Sequence, residues 1–329
     1  MIVRSDISQF LQGMRAKFFE VVDQGKEQAS RYDVVSLFEA KPELGPLVQR
    51  LGAEGEQKRE FTFTTGLLGY LEPTAELEPF KEGTYKTGYI TAVQPYKFTK
   101  RIKVSREAVE KRAPEYSSAL DEASKLLSTA TLTLSKHTWD LFNNLRTASA
   151  SLPNQLFAYN DGVKIASVAH PLKAGGTVSN CLASSPALSV DALETALLLG
   201  YNTKDDTGKP MPYFSAQKYL VANPALARKA REIALTDNTP YTTNFVVNIF
   251  RGIYDVIISP FITSTTQWTL VDGTSSPIRQ VVFKDITPED WFDENVKGYV
   301  YDVEAQWRVG TVDFRGIVHS VGDSSTITD

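Results

Sequence analysis

One stretch, from Pro114 to about Arg146, constrains this chain more than any other, because it reads as a single long helix. Tyr116, Leu120, Ala123, Leu127, Ala130, Leu134, His137, Leu141 and Leu145 recur at steps of three and four, which places them on one stripe of a 3.6-residue period. Pro114 suits the first helical turn, where its missing N–H would be unsatisfied anyway. Glu115, Asp121 and Glu122 near the start, with Lys136 and Arg146 near the end, complement the helix dipole. Such a helix would run roughly 48 Å, far beyond the usual three turns. In a mixed chain it acts as a spine on which other elements are laid.

The rest of the chain bounds what that spine can serve. Its 329 residues, 42% hydrophobic and 22% charged, suffice for two or three packed units. A formal net charge of -4 excludes the basic stripe of a dedicated nucleic-acid binder. The lone Cys181 rules out an internal disulfide framework and fits a reducing cytoplasm. No signal peptide opens the sequence, and no apolar run approaches the roughly 18 residues of a membrane span. A soluble chain with no membrane partner is expected.

Several elements look built to reach outward. Residues 1–57 hold short amphipathic pieces, among them Phe10, Leu11, Met14, Phe18, Phe19 and Val22, that could not form a core alone. Residues 58–106 change to strand. A first arm alternates around Phe61 and Phe63, and a second, from about Tyr85 to Val104, is rich in Tyr, Thr, Ile and Val. Between them, Gly66 to Gly83 carries Pro73, Pro79 and the acidic Glu72, Glu76, Glu78 and Glu82, as the tip of a protruding hairpin. A two-stranded hairpin is marginal alone, so it should lie on another surface. The acidic tip and the basic returning strand, with Lys97, Lys100, Arg101 and Lys103, suit docking on an oppositely charged neighbour.

After the spine, a turn-rich segment with a short strand near Val163–Val168 leads to an α/β unit. Ser189 caps a helix ending near Gly200, and Tyr219–Ala222 is a strand followed by a helix that Pro224 opens. Short strands follow at Asn244–Ile249, Tyr254–Ser259, Trp268–Val271 and Arg279–Phe283. Lys297–Val309 alternates as a long amphipathic strand.

Chemistry is sparse. His137 lies on the apolar stripe and reads as packing, His170 sits in a turn before Pro171, and Cys181 reads as a buried filler. No zinc spacing and no nucleophile elbow is present. Thr207-Gly-Lys209 ends like a phosphate loop, but Pro210 replaces the required hydroxyl residue. Asp205/Asp206 and Asp285/Glu289/Asp290 could pair as carboxylates for metal-assisted hydrolysis, yet they flank turns and read as solvated surface. The outward-reaching elements favour a self-assembling structural protein over an enzyme. No catalytic residue, metal or cofactor is expected.

The order of elements resembles the major capsid proteins of tailed bacteriophages, with Mu-like wording. Lys100-Arg-Ile-Lys-Val-Ser-Arg-Glu-Ala-Val109 precedes the spine, Tyr219-Leu-Val-Ala-Asn-Pro-Ala-Leu226 falls in the next unit, and Tyr301-Asp-Val-Glu-Ala-Gln-Trp-Arg-Val-Gly310 closes the chain. The resemblance implies an α+β chain of the Hong Kong 97-type fold. It would have an N-arm at 1–57, an extended E-loop hairpin at 58–106 and an axial (A) domain at 186–290. Its peripheral (P) domain would take 107–185 and 291–329, with the spine at 114–146. It further implies pentamers and hexamers of an icosahedral head around double-stranded DNA, held by non-specific contact. A portal, decoration proteins and a separate scaffolding protein would be partners, with assembly in the host bacterial cytoplasm and residence in the virion. Contacts between subunits would fall on Phe10, Phe18, Phe61, Phe63, Glu72, Glu76, Glu78, Lys81, Lys86, Lys100, Arg101 and Lys103, with Lys81 and Lys86 placed for the cross-link some relatives form. An encapsulin-like nanocompartment is the nearest rival within the fold, and a carboxylate-metal hydrolase the rival outside it.

Overall fold

The computed structural model describes residues 48–64, 87–107 and 114–327, apart from 174, 207, 212, 216, 238–247, 276 and 296. Side chains at 62–64, 87, 114–124, 127 and 128 also fall outside that set. The expected arm up to residue 47 and the acidic tip at 66–83 therefore lie outside the described residues.

The spine is helix α1, Pro114–Asn143. Leu134, His137 and Leu141 are buried as the stripe requires, and Leu145 is buried just beyond the helix. Burial is wider than one stripe near the end, where Trp139, Phe142, Ser135 and Thr138 are also enclosed. The helix stops three residues before Arg146 because side chains take over its last hydrogen bonds. The Asn144 amide donates to the Asp140 carbonyl at 2.7 Å, and the Asn143 carboxamide oxygen accepts from the Thr263 N–H at 2.9 Å. Arg146, outside the helix, donates to the Ala166 carbonyl, and Lys136 pairs with Asp140 one turn away. Neither cation serves the last turn: Lys136 is held within the helix and Arg146 makes a tertiary contact instead of the expected dipole pairing.

The spine packs on a five-stranded sheet formed by β1 (Val48–Gly52), β4 (Lys97–Ser105), β5 (Leu156–Phe157), β11 (Ile278–Asp293) and β12 (Gly298–Thr311). Its order is β1-β11-β12-β4, with β5 beside the end of β12. Tyr301, Val303, Ala305, Trp307 and Val309 alternate into the core, as the period-two pattern requires. The short strand expected at Arg279–Phe283 is the start of the much longer β11, whose pairing to β12 shifts register near Lys284.

The expected second hairpin arm is two strands. β2 (Arg59–Thr64) pairs antiparallel with β3 (Thr87–Val93), and the chain then breaks at Gln94–Tyr96 and enters the large sheet as β4. Pro95 lacks the N–H that a continuous ladder would use. Strands β6 (His170–Pro171) and β7 (Thr177–Val178) form a small ladder, so His170 belongs to a strand rather than a turn. No strand forms at Val163–Val168, and of the expected Asn244–Ile249 strand the described residues, 248 and 249, lead into a turn rather than a strand.

A second sheet runs β13-β10-β8-β9, from Ile317–Ser320, Trp268–Asp272, Lys218–Ala222 and Tyr254–Ile258 respectively. Helices α2 (Val190–Tyr201) and α3 (Ala227–Leu235) cover one face. The Ser189 hydroxyl accepts the Ala192 N–H at 3.1 Å as the N-cap of α2. A short 3-10 turn, Pro224–Leu226, precedes α3, with the Asn223 side chain capping it. The chain passes directly between the sheets in two short crossings, at 273–277 and at 312–316. The two crossings touch: the Asp272 N–H donates to the Gly316 carbonyl and the Val312 N–H to the Pro277 carbonyl. Tyr219, Val221, Val271 and Ile317 of the second sheet share one core with Leu141, Leu145, Ile278, Trp307 and Val309.

Candidate assembly surfaces and the buried junction

A surface that binds other subunits needs exposed groups left over after the fold has met its own demands. On the hairpin, Phe61 is half-buried and stacks on Phe157 at 6.4 Å between ring centres, nearly parallel. It therefore pins β2 to β5 of the large sheet. Phe10, Phe18, Glu72, Glu76, Glu78, Lys81 and Lys86 lie outside the described residues, as does the side chain of Phe63.

The basic residues of β4 divide between its two faces by the alternation of a strand. Lys97, Arg101 and Lys103 meet carboxylates of β12 and β11: Lys97–Glu304 at 2.6 Å, Arg101–Asp302 at 2.8 Å and Lys103–Asp293 at 3.8 Å. Arg101 also lies over the Trp291 ring at 4.7 Å. Lys97 and Lys284 hold the Glu304 carboxyl below the usual range. Lys100 points to the other face. It is exposed, has no ion-pair partner among the described residues, and rims a cavity of about 260 Å³ lined by Phe98, Thr129, Thr133, Val303 and Trp307. Behind two of these lining residues, the Trp307 indole N–H donates to His137 Nδ1 at 3.1 Å and Phe98 packs 4.9 Å from the imidazole. Burial lowers the His137 pKa from 6.5 to about 4, and the neighbouring Asp140 offsets this only partly. His137 is packing, as the stripe implied.

A buried polar cluster sits where the chain crosses between the sheets. Asp206, expected on the solvated surface, is 2% exposed. It meets the Arg315 guanidinium at 2.9 Å, and Arg315 also holds Asp313 at 2.9 Å and donates through Nε to the Lys204 carbonyl at 2.9 Å. Burial disfavours the guanidinium charge, but Asp313 and Asp206 outweigh it and raise the Arg315 pKa. The Tyr213 hydroxyl donates to Asp313 at 2.8 Å. Asp205, also buried, accepts the Lys209 N–H at 2.7 Å and closes its loop. A neighbouring cluster continues through Phe314, with Arg315 4.6 Å from its ring centre and His170 stacked at 3.7 Å. His170 contacts Asp161 through Nδ1 at 2.5 Å and Asn180 Oδ1 through Nε2 at 3.0 Å. The Asn180 amide is oriented by donating to the Ile165 and Phe314 carbonyls and accepting from the Ser167 N–H. These bonds fasten the 161–180 loop to the 312–316 crossing.

The other carboxylates weighed for chemistry are placed differently. Asp285, Glu289 and Asp290 lie within β11 rather than beside a turn, and the exposed Asp285 pairs with Arg50 at 2.9 Å. No cluster of three or more metal-ligating side chains occurs among the described residues. Cys181 is buried. His319, also buried, accepts or donates to the Thr269 hydroxyl at 2.9 Å, and burial pulls its pKa to about 3, with the Arg146 charge adding to the effect. Sequence reasoning passed over Arg315 and Asp313. Their only signal was charge inside a short, otherwise apolar Val-Asp-Phe-Arg-Gly crossing.

The sequence profile of the phage capsid protein family matches residues 88–320, about seven tenths of the chain. The chain belongs to that family. This capsid protein is a structural subunit of a phage head, and its place is the virion capsid. A solved structure of Mycobacterium phage Patience is similar over 91% of this chain and 86% of its own, at 13% identity and a TM-score of 0.51. The capsid of Ralstonia phage GP4 is 11% identical over 89% and 92% of the two chains, with a TM-score of 0.49. A virus-like particle from Pyrococcus furiosus is 13% identical over 94% and 99%, with a TM-score of 0.43. The capsid protein has the Hong Kong 97-type fold, α+β in class. No curated protein matches it.

Proposed function

We propose that this capsid protein assembles as pentamers and hexamers of an icosahedral head that encloses double-stranded DNA. The observation that carries this reading is the family match across the spine and both sheets. Catalysis has no part in it: the buried carboxylates are occupied in holding the crossing between sheets. In this reading the second sheet with α2 and α3 is the core of the axial domain, within 186–290. The spine with the large sheet is the peripheral domain, and the β2–β3 hairpin is the root of the E-loop. The acidic Glu72, Glu76 and Glu78 of one subunit then meet Lys100 of a neighbour, the β4 cation with no ion-pair partner among the described residues. Phe10 and Phe18 bury themselves on an adjoining subunit, while Lys81 and Lys86 lie within reach of a neighbour. A mildly acidic wall does not grip DNA, since tight phosphate contacts would hinder filling and release. A separate scaffolding protein directs assembly in the host cytoplasm, and a portal and decoration proteins complete the shell.

Native particles test the reading. Nuclease-protected double-stranded DNA with tail proteins attached is the expected content. Particles that hold an enzyme cargo and no DNA would assign the chain to a nanocompartment instead.

A further inference from the structure

The two helices of the second sheet each turn an unusual stripe to solvent. Helix α2 buries Ala192, Leu193, Ala196 and Gly200 and presents Asp191, Glu194, Leu198 and Tyr201 outward, at steps of three, four and three. Helix α3 buries Ala230, Ile233 and Ala234 and presents Arg228, Arg231 and Leu235, at steps of three and four. Leu198 is 54% exposed and Leu235 67%. Beside Leu235 stand the exposed Ile249 and Ile253, drawn in because the Gly252 N–H donates to the Ala234 carbonyl at 2.9 Å. Single exposed apolar residues need no explanation, but a contiguous group of them marks a contact.

The two stripes differ in charge. Helix α2 carries two carboxylates and no cation, whereas 227–253 carries Arg228, Lys229, Arg231 and Arg251 against Glu232 and Asp237. Arg228–Glu232 and Arg251–Asp237 are ion pairs, so the second stripe stays net positive. The stripes lie on two separate helices of one face, α2 packing beside β13 and α3 beside β9, the two edge strands. A contact of either stripe with its own copy would set like charge on like charge. A head-to-tail contact matches acid to base and apolar to apolar, and such contacts close into rings when the rotation permits.

We propose that the α2 stripe of one subunit docks on the α3 stripe of a second copy, Glu194 facing Arg231, as the repeated contact of a ring-shaped capsomer. The inference rests on the shell-subunit reading above. Burial of Leu198, Tyr201, Leu235 and Ile249 supplies affinity, while the charges set which partner and which direction.

Charge reversal in the full chain tests it. Glu194→Arg and Arg231→Glu are surface changes, so each variant should melt like the wild type. Each alone should lower shell yield about tenfold or more, and the double variant should restore it. Single variants that assemble like the wild type, or a double variant no better than either, would overturn the contact. A second measurement works without shells: by sedimentation velocity, the two single variants should associate when mixed and not apart. If the wild type forms no shells but the mixed variants associate, the contact stands and the shell reading falls.

Discussion

Replacing Arg315 with Met separates the worth of the buried junction from that of ordinary packing. Arg315, Asp206 and Asp313 are all nearly inaccessible to solvent, and both carboxylates lie 2.9 Å from the one guanidinium. Met fills much of the same space without charge, leaving two buried carboxylates with no cation. Breaking a buried pair in this way costs about 3–5 kcal/mol. Unfolding entropy scales to about 0.7 kcal/mol/K for a 329-residue chain, so the melting temperature should fall by about 4–7 °C. Most of that loss is uncompensated charge rather than lost contact. The triple variant Arg315→Met, Asp206→Asn, Asp313→Asn should therefore regain a large part of it. The assay is thermal denaturation of the dispersed full-length subunit by circular dichroism, with urea unfolding as a check. An Arg315→Met subunit melting within about 1 °C of wild type would refute the reasoning. A triple variant no more stable than the single would refute it equally.

Other consequences follow from the same structure. His137 and His319 are held neutral when folded, with pKa values of about 4 and about 3 against 6.5 when exposed. The unfolded chain takes the protons first, so the stability they contribute is complete above about pH 6.5 and is lost as pH falls through the folded values, at about 1.4 kcal/mol per pH unit for each. Urea unfolding at pH 7, 5.5 and 4.5 should show the decline, His319→Gln should lessen it, and a flat profile would contradict the burial argument. Gly310→Ala drives a Cβ into the Phe157 carbonyl oxygen, where β5 meets β12. It should reduce soluble yield sharply, while a wild-type yield would show that β5 can yield at no cost. Leu134→Asp buries an unpaired charge in the spine, whereas Leu132 is 41% exposed and its Asp variant should fold normally. Equal behaviour of the two on size-exclusion chromatography would show that the stripe is misplaced.

Much of the fold was legible because it rests on simple periods. The spine announced itself through steps of three and four, and β12 through alternation from Tyr301 to Val309. What stayed hidden depends on partners far apart in sequence. The second hairpin arm looked continuous because propensity cannot see that β3 pairs with β2 while β4 pairs with β12. Pro95 was the one local clue. Asp206 looked solvated because its neighbours are Asp205, a glycine and two lysines, yet its partner Arg315 lies more than a hundred residues away. A charged residue next to turn chemistry is usually exposed, and only the long-range ion pair overrides that rule. The β4 cations were read as free to dock, but three of the four are already paired across their own sheet, leaving Lys100 as the member without an ion-pair partner among the described residues.

The central claim is that this subunit builds a closed shell, and particle mass tests it most directly. Purified full-length protein, alone and co-expressed with its scaffold, would be examined by multi-angle light scattering and negative-stain microscopy. Closed, uniform particles of megadalton mass are the expected result. Discrete small oligomers under every assembly condition, from protein that is folded by circular dichroism, would contradict it.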